Sequence, residues 1–575
     1  MKTHPVRGIL AASLFGLGLL TVAGGCAGSL QRVPLSANLR PSGPPSVRKA
    51  QDLGSLPLPG AGPLSLAHAD DLFTPGEYVA LYGENLTPGS QVVLSGRAAA
   101  VVGAIDGGLL IQVPRGISTG RQVLRIDNGL GTAEVTVSTA FYAFGGDAAG
   151  NGLRIRRLGP EGDQPEMFDD KPLDIAFPLS RYQALSYDGA LLFALAEPAT
   201  DEAPESSSGE AIPVGTVVCD LMVVHMGAKH GPQEVTRVPL SLVGKPTGLA
   251  MGPAGQLVVL QPRQITVVDV SIPQKPQPVV VLPLWPAEQK RELVDAEFLG
   301  DGRLLAVLEA YANQIHLIDV GDPRQPRLVS GVSLSPEYEQ PFSIDLAPGP
   351  DPSSMWVLQG PNLRLAGKRL LDGLSGAWRD AKALDVKGAA KTLGQTAVGA
   401  AMLPSEPLTR VQLVQLVGGQ LQVVKSLPLP SEIFPFFIQP DYRGSLFVSG
   451  VNRKNQFSSI DASLDGVRRL LGAIKDTTQL GVILKMGTED GSVATAVQGV
   501  AMYYDLALLP SGQLMTSTIR LGPGYIPPRV TLDWGFEVPG KSFAKLREVA
   551  NTGFKITDVV RRLLPPYRYE RIGVQ

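Results

Sequence analysis

Cysteine is almost absent from this chain of 575 residues, which contains only Cys26 and Cys219, and histidine is scarce, with five residues. The formal net charge is −2, so no global field favours nucleic acid as a partner. The one match to the G-x-S-x-G elbow of serine hydrolases, Gly116–Gly120, lies between two strand-like runs and not on a strand-to-helix turn, so it does not predict a nucleophile. His225 and His230 lie in a strand-to-loop segment, where one helical face cannot present both to a metal. We therefore predict no catalytic residue, no cofactor, no metal site and no enzyme activity.

One phosphate-loop pattern does occur, because GFEVPGKS at Gly535–Ser542 fits G-x-x-x-x-G-K-[ST] after a strand-like segment. A nucleotide-binding domain needs several further strands and an acidic metal ligand after this loop, and the chain that follows is too short for them. We therefore interpret Lys541 and Ser542 as the start of a helix.

Glycine and proline are abundant, with 65 and 49 residues, as is typical of a β-protein with many turns. Two stretches share one pattern: ITVVDVSIPQKPQPVV at Ile265–Val280 and IHLIDVGDPRQPRLVS at Ile315–Ser330. Asp269 and Asp319 hold the same place in them, 50 residues apart, which is close to the length of a four-stranded propeller blade. We predict that each carboxylate accepts backbone N–H groups in the turn that follows. The prolines of these turns complete the repeat: Pro273, Pro276, Pro323 and Pro326.

This repeat resembles the LVIVD-type repeat of bacterial surface β-propellers. The pattern extends outward into hairpins, and we predict about seven blades within residues 140–540, with Phe141–Leu158 supplying an outer strand to the last blade and so closing the ring. The alternatives are a large β-sandwich or two smaller β domains. The predicted hairpin turns are Asp188–Gly189, Ala254–Gly255, Asp301–Gly302, Ser353–Ser354, Pro404–Ser405, Arg443–Gly444 and Ser511–Gly512.

The N-terminus is typical of an exported protein. Residues 1–25 form a predicted signal peptide with a basic start and an apolar run that ends in small residues. These small residues directly precede Cys26, and the pattern resembles the lipobox of bacterial lipoproteins, although Ala23 stands where Leu is commonest. The resemblance implies a lipid on the Cys26 thiol, and Ala27 after it implies the outer membrane. The alternative is an ordinary secretory signal with an incidental cysteine.

Residues 26–63 are rich in proline, serine and glycine, and we predict an extended tether without a sheet ladder. Residues 64–139 alternate strand-like runs with turns such as Thr74–Pro75–Gly76 and Asp127–Asn128–Gly129. This order of turns resembles the IPT/TIG domain. The resemblance implies an immunoglobulin-like β-sandwich that acts as a spacer or binding module.

Three further segments lack a clear strand pattern. The acidic residues Thr200–Glu210 predict a solvated loop, or alternatively a binding loop. The spacing at Leu363–Leu393 predicts a helix packed on its own blade, or alternatively a partner-docking helix. Residues 541–575 predict a basic helical tail, with helices in SFAKLREVAN and ITDVVRRLL. Its charges form a solvated face or, alternatively, contact anionic lipid or an acidic partner. Cys219 lies in a strand-like run and is predicted to be a small buried hydrophobic residue.

Together these features predict an all-β protein, with an Ig-like sandwich, a seven-bladed propeller and a short helical tail. We expect an exported lipoprotein anchored at the outer membrane, in the periplasm or on the cell surface. Its expected partners are the membrane, through Cys26, and an envelope protein or glycan that it binds or scaffolds. One alternative is an enzyme that acts on a polysaccharide in the central funnel of the propeller. The other is a surface adhesin.

Overall fold

All the regular elements of the described residues are β-strands, as predicted for an all-β chain. No helix in this part of the chain is long and apolar enough to cross a membrane. The computed structural model describes residues 32–33, 40–53, 71–146, 152–159, 166–167, 173–176, 180–196, 216–226, 232–253, 255–286, 289, 291–300, 302–310, 312–336, 341–360, 409–441, 444–452, 481–499, 501–508, 514–520, 529–535, 547–551 and 573–574.

The N-terminal part is one nine-stranded sheet in the order β2-β4-β7-β6-β5-β8-β9-β3, with β1 paired to β6. Strand β6 pairs with β5 through its first residues and with β7 through the rest, so the sheet turns at this strand. The core lies inside the turned sheet and includes Leu81, Ile111 and Leu124, none of which is exposed. The strands are β1 (Arg32–Val33), β2 (Ser46–Asp52), β3 (Leu72–Phe73), β4 (Tyr78–Glu84), β5 (Gln91–Leu94), β6 (Arg97–Ile105), β7 (Gly108–Gln112), β8 (Gly120–Asp127) and β9 (Thr132–Thr139).

The predicted tether was wrong for part of residues 26–63. Ser46–Asp52 is a strand that pairs antiparallel with β4 along its length. The prolines that suggested a tether stand on both sides of this strand, with Pro44 and Pro45 directly before it and Pro57 and Pro59 after it. Because β2 is at the edge of the sheet, it carries charged side chains and buries little apolar surface. Its sequence therefore lacks the apolar pattern from which a strand is predicted.

The rest of the chain forms seven further sheets: one with five strands, which we call the closing sheet, and six with four strands, which we call ring sheets 1 to 6. The closing sheet begins with β10 (Phe141–Gly146), β11 (Gly152–Gly159), β12 (Glu166–Met167) and β13 (Leu173–Ala176). Ring sheet 1 contains β14 (Ser180–Leu185), β15 (Leu191–Ala196), β16 (Thr216–His225) and β17 (Gln233–Val243). Ring sheet 2 contains β18 (Gly248–Met251), β19 (Gln256–Gln261), β20 (Gln264–Asp269) and β21 (Gln277–Pro283).

The remaining ring sheets repeat this plan. Ring sheet 3 contains β22 (Leu293–Leu299), β23 (Leu304–Glu309), β24 (Gln314–Asp319) and β25 (Arg327–Ser333). Ring sheet 4 contains β26 (Phe342–Pro348), β27 (Ser354–Gly360), β28 (Arg410–Val417) and β29 (Gln420–Pro428). Ring sheet 5 contains β30 (Ile433–Pro440), β31 (Ser445–Asn452), β32 (Gly481–Gly487) and β33 (Val493–Gly499). Ring sheet 6 contains β34 (Ala501–Leu508), β35 (Leu514–Arg520), β36 (Arg529–Gly535) and β37 (Arg547–Asn551), and β38 (Gly573–Val574) returns to the closing sheet.

The first strand of each ring sheet is its innermost strand, and each of these strands contacts the first strand of the next ring sheet. The circle is completed by β38, which contacts β34 on one side and pairs with β10 of the closing sheet. Strand β10 in turn contacts β14. The segment Phe141–Leu158 helps to complete the circle, but the prediction that it adds an outer strand to the last blade was wrong, because β10 pairs with both β11 and β38 in a separate sheet. Neighbouring sheets share apolar clusters, so the core is divided among the spaces between sheets.

Two further predictions about individual strands were wrong. Pro404 and Ser405 lie outside the described residues, but the strand after them, β28, pairs with β27 and is the third strand of ring sheet 4. It does not begin a sheet of its own. Within the predicted helix SFAKLREVAN, Arg547–Asn551 is a strand that pairs with β36. The second predicted helix of the tail, ITDVVRRLL, lies outside the described residues.

A β-bulge recurs at the same place in every ring sheet, between its third and outermost strands. One extra residue of the outermost strand is skipped in the pairing each time, and this recurrence shows that the sheets are structural equivalents. A bulge also twists a free edge and hinders its pairing with another chain. The skipped residues are Val235, Val279, Val329, Val424, Ala496 and Val549.

The antiparallel order of strands defines two ends of the ring. Turns that join the first strand to the second, and the third to the outermost, lie at one end, which we call the lower end. Connections from the second strand to the third, and from one sheet to the next, lie at the upper end. The N-terminal sheet joins the ring at the lower end, because β9 ends at Thr139 and leads through Ala140 into the start of β10.

Candidate functional site

The upper end carries the long insertions of the ring. They join the second strand to the third in ring sheets 1, 4 and 5 and comprise residues 197–215, 361–409 and 453–480. The same connection is short in ring sheets 2 and 3, where Gln261 is followed closely by Gln264 and Glu309 by Gln314. The predicted acidic loop Thr200–Glu210 and the predicted helix Leu363–Leu393 fall within these insertions and outside the described residues. Because loops on a rigid scaffold carry most binding sites, this end is the candidate functional surface.

Fully buried polar side chains support the upper end in ring sheets 2 to 4. Gln261, Glu309 and Gln359 occupy equivalent positions near the end of the second strand, and none is exposed. The Gln261 side chain donates to the Val243 carbonyl oxygen at 2.7 Å. Glu309 accepts the backbone N–H of Glu292 at 3.0 Å. These bonds fasten the connection between sheets, so the short connections at this end are held rigidly.

In ring sheet 4 the buried polar side chain is Gln359, and it is hydrogen-bonded to the charged side chain of Arg410. Arg410 donates from Nε to the Gln359 side-chain oxygen at 2.8 Å and from its guanidinium to the Leu334 carbonyl oxygen at 2.8 Å. Burial lowers the pKa of Arg410 from its ordinary value. The Gln359 amide also donates to the Ser343 hydroxyl at 3.3 Å. The polar groups therefore form a connected network that anchors the upper end of this sheet.

A titratable cluster lies at the upper part of ring sheet 3. The rings of Trp285 and His316 meet edge to face, with centroids 4.9 Å apart. The Arg291 guanidinium lies 5.8 Å from the Trp285 ring centroid, and its nitrogen is 3.9 Å from a carboxylate oxygen of Glu309. Burial, and next the positive charge of Arg291, lower the pKa of His316 to about 4. Nε2 of His316 is buried without a hydrogen-bond partner, so His316 is held neutral.

We expect His316 to make folding less favourable as the pH falls. The unfolded chain binds a proton on this histidine near pH 6.5, whereas the folded chain resists protonation to about pH 4. The stability that the neutral ring contributes is therefore present above pH 6.5 and is lost as the pH falls toward 4. The expected loss is about 2 kcal/mol, since each pKa unit corresponds to about 1.4 kcal/mol and the ring is partly solvated.

Urea unfolding at pH 7 and pH 4.5 measures this loss. The variant His316→Leu should show a smaller difference between the two pH values than the parent protein. His225, whose pKa burial lowers against the opposing charge of Asp188, contributes in the same direction and remains in both proteins. An unchanged difference in His316→Leu would show that His316 does not resist protonation in the folded state.

The repeat aspartates lie at the lower end, away from the candidate surface. Asp269 accepts the Ser271 N–H at 2.9 Å, and Asp319 accepts the Gly321 N–H at 3.0 Å. Both carboxylates therefore make the turn-stabilising hydrogen bond that the sequence predicts for them. Asp319 differs from Asp269 because two guanidinium groups also contact it, from Arg303 at 2.9 Å and from Arg327 at 3.1 Å. The hydrogen bond from Arg303 is the main cause that holds the pKa of Asp319 well below its usual range.

The prolines of the repeat shape the same turns. Pro273, Pro276 and Pro326 are buried, and Pro323 is partly buried. Each turn is closed by a backbone hydrogen bond, from Lys275 to Ile272 at 2.8 Å and from Gln325 to Asp322 at 3.0 Å. The repeat residues are thus turn residues of the scaffold.

Two buried aspartates that sequence reasoning missed connect neighbouring sheets. Asp295 of β22 accepts the N–H of Leu346 in β26 at 3.0 Å. Asp345 of β26 accepts the N–H of Ile438 in β30 at 3.1 Å. Both follow the bulge of an innermost strand, and Asp505 of β34 has the same register position. The sequence carries one signal that marks these aspartates. Each is an acidic residue within an apolar strand, at nearly the same distance before the hairpin turn of its ring sheet.

The other residues considered in the sequence analysis either lie within strands or lie outside the described residues. Cys219 forms no disulfide and is buried in β16, as predicted. His225 ends the same strand at the position that Asp269 and Asp319 hold in theirs. Across the described ranges, no group of three or more histidine, cysteine or acidic residues could hold a metal ion. Cys26, His230, Lys541 and Ser542 lie outside the described residues.

The circle of sheets, each contacting the next through its innermost strand and completed by a strand from near the C-terminus, defines a β-propeller-like fold. No protein-family model and no curated protein matches the sequence.

Several solved structures are similar to the chain at low sequence identity. The periplasmic gluconolactonase PpgL of Pseudomonas aeruginosa is 12% identical, with a TM-score of 0.44 over 72% of this chain and 99% of that one. A putative 6-phosphogluconolactonase of Bacteroides fragilis is 11% identical, with a TM-score of 0.42 over 71% of this chain and 93% of that one. The β-propeller domain of Cps50 (Swd1) from Myceliophteria thermophila is 9% identical, with a TM-score of 0.36 over 64% of this chain and 90% of that one. Likenesses this distant do not assign a function.

Proposed function

We propose that the protein is a lipid-anchored binding or scaffolding protein of the bacterial cell envelope, whose upper end holds an envelope protein or glycan. In this proposal residues 1–25 are removed as a signal peptide and Cys26 carries the lipid at the outer membrane. The N-terminal sheet is an Ig-like sandwich of the IPT/TIG type. The circle of sheets is a seven-bladed propeller of the LVIVD-repeat type, and the closing sheet is its seventh blade.

One observation carries the binding role: the three long insertions all join strands at the upper end of the ring. The N-terminal sheet is attached at the lower end. The insertions of ring sheets 1 and 4 flank the short connections of ring sheets 2 and 3. This arrangement supports a recessed binding surface over the two middle sheets. The separate buried hydrogen bonds of Gln261, Glu309 and Gln359 support the base of that surface in this proposal.

Replacing the insertions tests the proposal. We expect that exchange of residues 197–215 and 361–408 for short Gly-Ser linkers lowers the amount of partner that co-purifies with the full-length protein from detergent-solubilised envelope by about tenfold or more, which corresponds to about 1.4 kcal/mol. The matched control is Ile272→Glu, which changes an exposed residue of a lower-end turn. Circular dichroism verifies that both variants are folded.

The same experiment distinguishes the alternatives. Equal recovery from the insertion variant and the control would contradict the upper end as the binding surface. Turnover of an envelope polysaccharide by the parent protein, lost in the insertion variant, would replace binding with enzyme activity. Retention of external host or surface material by whole cells, with no envelope partner, would favour an adhesin.

A further inference from the structure

We propose that the N-terminal sheet and the ring are locked together as one rigid body, which points the upper end of the ring away from the place where the N-terminal segment reaches the domain. The lock itself rests on contacts between described residues. Only the conclusion that the upper end of the ring points away from a membrane rests on the proposed lipid anchor. Two separate attachments produce the lock.

The first attachment is the covalent connection between the N-terminal sheet and the ring, which is only one residue long. Strand β9 ends at Thr139 and β10 begins at Phe141, so Ala140 is the only residue between the two domains. Ala140 is fully buried, and its N–H donates to the Phe73 carbonyl oxygen at 3.1 Å. Phe141 is almost fully buried as well. A buried, hydrogen-bonded connection of this kind differs from the exposed linkers that permit domain motion.

The second attachment is a docked turn of ring sheet 1. The Gln112 amide of the N-terminal sheet donates to an Asp188 carboxylate oxygen at 3.1 Å, and Arg115 donates to the Ser186 carbonyl oxygen at 3.3 Å. The other Asp188 oxygen accepts the Ser186 hydroxyl at 2.6 Å and the Ala190 N–H at 3.0 Å. The turn is therefore fixed internally before it meets the N-terminal sheet.

A glycine makes the closest approach possible. Gly76 has a φ of +86°, and a Cβ at this position would lie only 2.7 Å from the Ala190 backbone. The loop that carries Gly76 is itself held, because the Gly76 N–H donates to Val113 at 2.9 Å and the Thr74 N–H donates to the Glu77 carboxylate at 2.7 Å. The backbone of the two domains thus meets at a preformed, close-packed contact.

The ring contacts one end of the N-terminal sheet, and the position of that end determines which way the upper end of the ring points. Gly76 lies two residues before the first residue of β4, whereas Asn85 follows the other end of this strand, about 20 Å away for a strand of seven residues. The described segment before β2 is fastened at that distant end, where Ser42 donates to Asn85 at 2.8 Å and Asn128 donates to the Gly43 carbonyl oxygen at 2.9 Å. The chain therefore enters the N-terminal sheet at one end and the ring docks, by its lower end, at the other.

Distance measurements between spin labels test the lock. The full-length protein in detergent, with Cys26→Ser and Cys219→Ala, has no native cysteine, and labels are placed at Val123→Cys and Val281→Cys, which are 49% and 45% exposed. We expect one narrow distance distribution. The variant Gly76→Ala should shift this distribution or broaden it by a factor of about two or more, as for domains that move independently.

The matched control is Gly129→Ala in the same sheet. Gly129 has a φ of +82°, similar to that of Gly76, but a Cβ there would have no neighbour within 4 Å. It therefore reproduces the backbone strain without the collision, and its distribution should equal that of the parent. A second variant, Gln112→Ala with Arg115→Ala, weakens the contact without changing a glycine and should broaden the distribution.

A broad distribution in the parent protein would overturn the proposal. So would a Gly76→Ala distribution that matches both the parent and Gly129→Ala while all variants melt cooperatively. Because no partner is present in this experiment, its outcome is independent of whether the upper end binds anything. A failed lock and a failed binding role are therefore separate results.

Discussion

Removal of residues 571–575 should weaken the cooperative folding of the ring and lower its melting temperature. This deletion takes away β38, whose Gly573 and Val574 pair with Phe144 and Ala143 of β10. The edge of β10 would then be left unpaired and β34 would lose its neighbour in the circle. An unpaired edge invites pairing between chains. We expect a broadened transition, a decrease in melting temperature on the order of 10 °C, and aggregation on heating.

Thermal denaturation followed by circular dichroism measures this effect. A matched variant keeps residues 571–575 and adds a short Gly-Ser extension after Gln575, so it changes the length of the chain but preserves the pairing. It should melt like the parent protein. If the truncated protein melts like the extended one, the last strand does not close the ring.

Asp345→Ala should destabilise the protein by about 3 kcal/mol, the largest effect that we expect from a single substitution. The carboxylate is 2% exposed and accepts the Ile438 N–H of the next ring sheet at 3.1 Å. Alanine leaves this buried N–H without its acceptor, which costs about 1 to 3 kcal/mol, and a cavity is added to that loss. The conservative variant Asp345→Asn retains a side-chain oxygen and should lose less.

Urea unfolding at pH 7 measures the free energy of unfolding for these variants. Asp322→Ala is the matched control, because Asp322 also accepts a backbone N–H, from Arg324 at 2.9 Å, but at an exposed turn. Its loss should be below about 1 kcal/mol. Equal losses for Asp345→Ala and Asp322→Ala would contradict a role for Asp345 in joining neighbouring sheets.

Much of the architecture could be predicted because turns leave strong local signals. The aspartate and prolines of the repeat mark the turn after the third strand, since each residue type is required there by backbone geometry. Glycines such as Gly189, with a φ of +83°, likewise mark the hairpin turns. The sheets between these signals follow from apolar runs that are buried on both faces, such as Leu191–Ala196.

The errors have a common physical cause, which is that bulges and edges disturb the strand pattern. Val549 is skipped in the pairing of β37, so apolar and polar residues do not alternate regularly and the segment resembles a helix. Strand β2 is also irregular between Val47 and Lys49, and its exposed edge carries charges that are typical of a tether. The sequence predicts a hairpin turn of a separate blade at Pro404–Ser405, because the long insertion between β27 and β28 makes β28 resemble the start of a new sheet.

The contacts at the candidate surface could not be predicted because they join residues that are distant in sequence. Arg410 reaches Leu334, and Trp285 meets His316, only once the sheets are placed side by side. Gln261, Glu309 and Gln359 differ in residue type, so no motif marks their shared position. Their role becomes visible only from the register of the strands.

Site-specific photo-cross-linking in cells tests the central claim, that the upper end is the binding surface, most directly. A photoreactive residue replaces Arg263, in the upper connection of ring sheet 2, or Ile272, in a lower turn of the same sheet. We predict a discrete cross-linked product from position 263 and none from position 272. A product from position 272 alone, or equal products from both positions, would contradict the account.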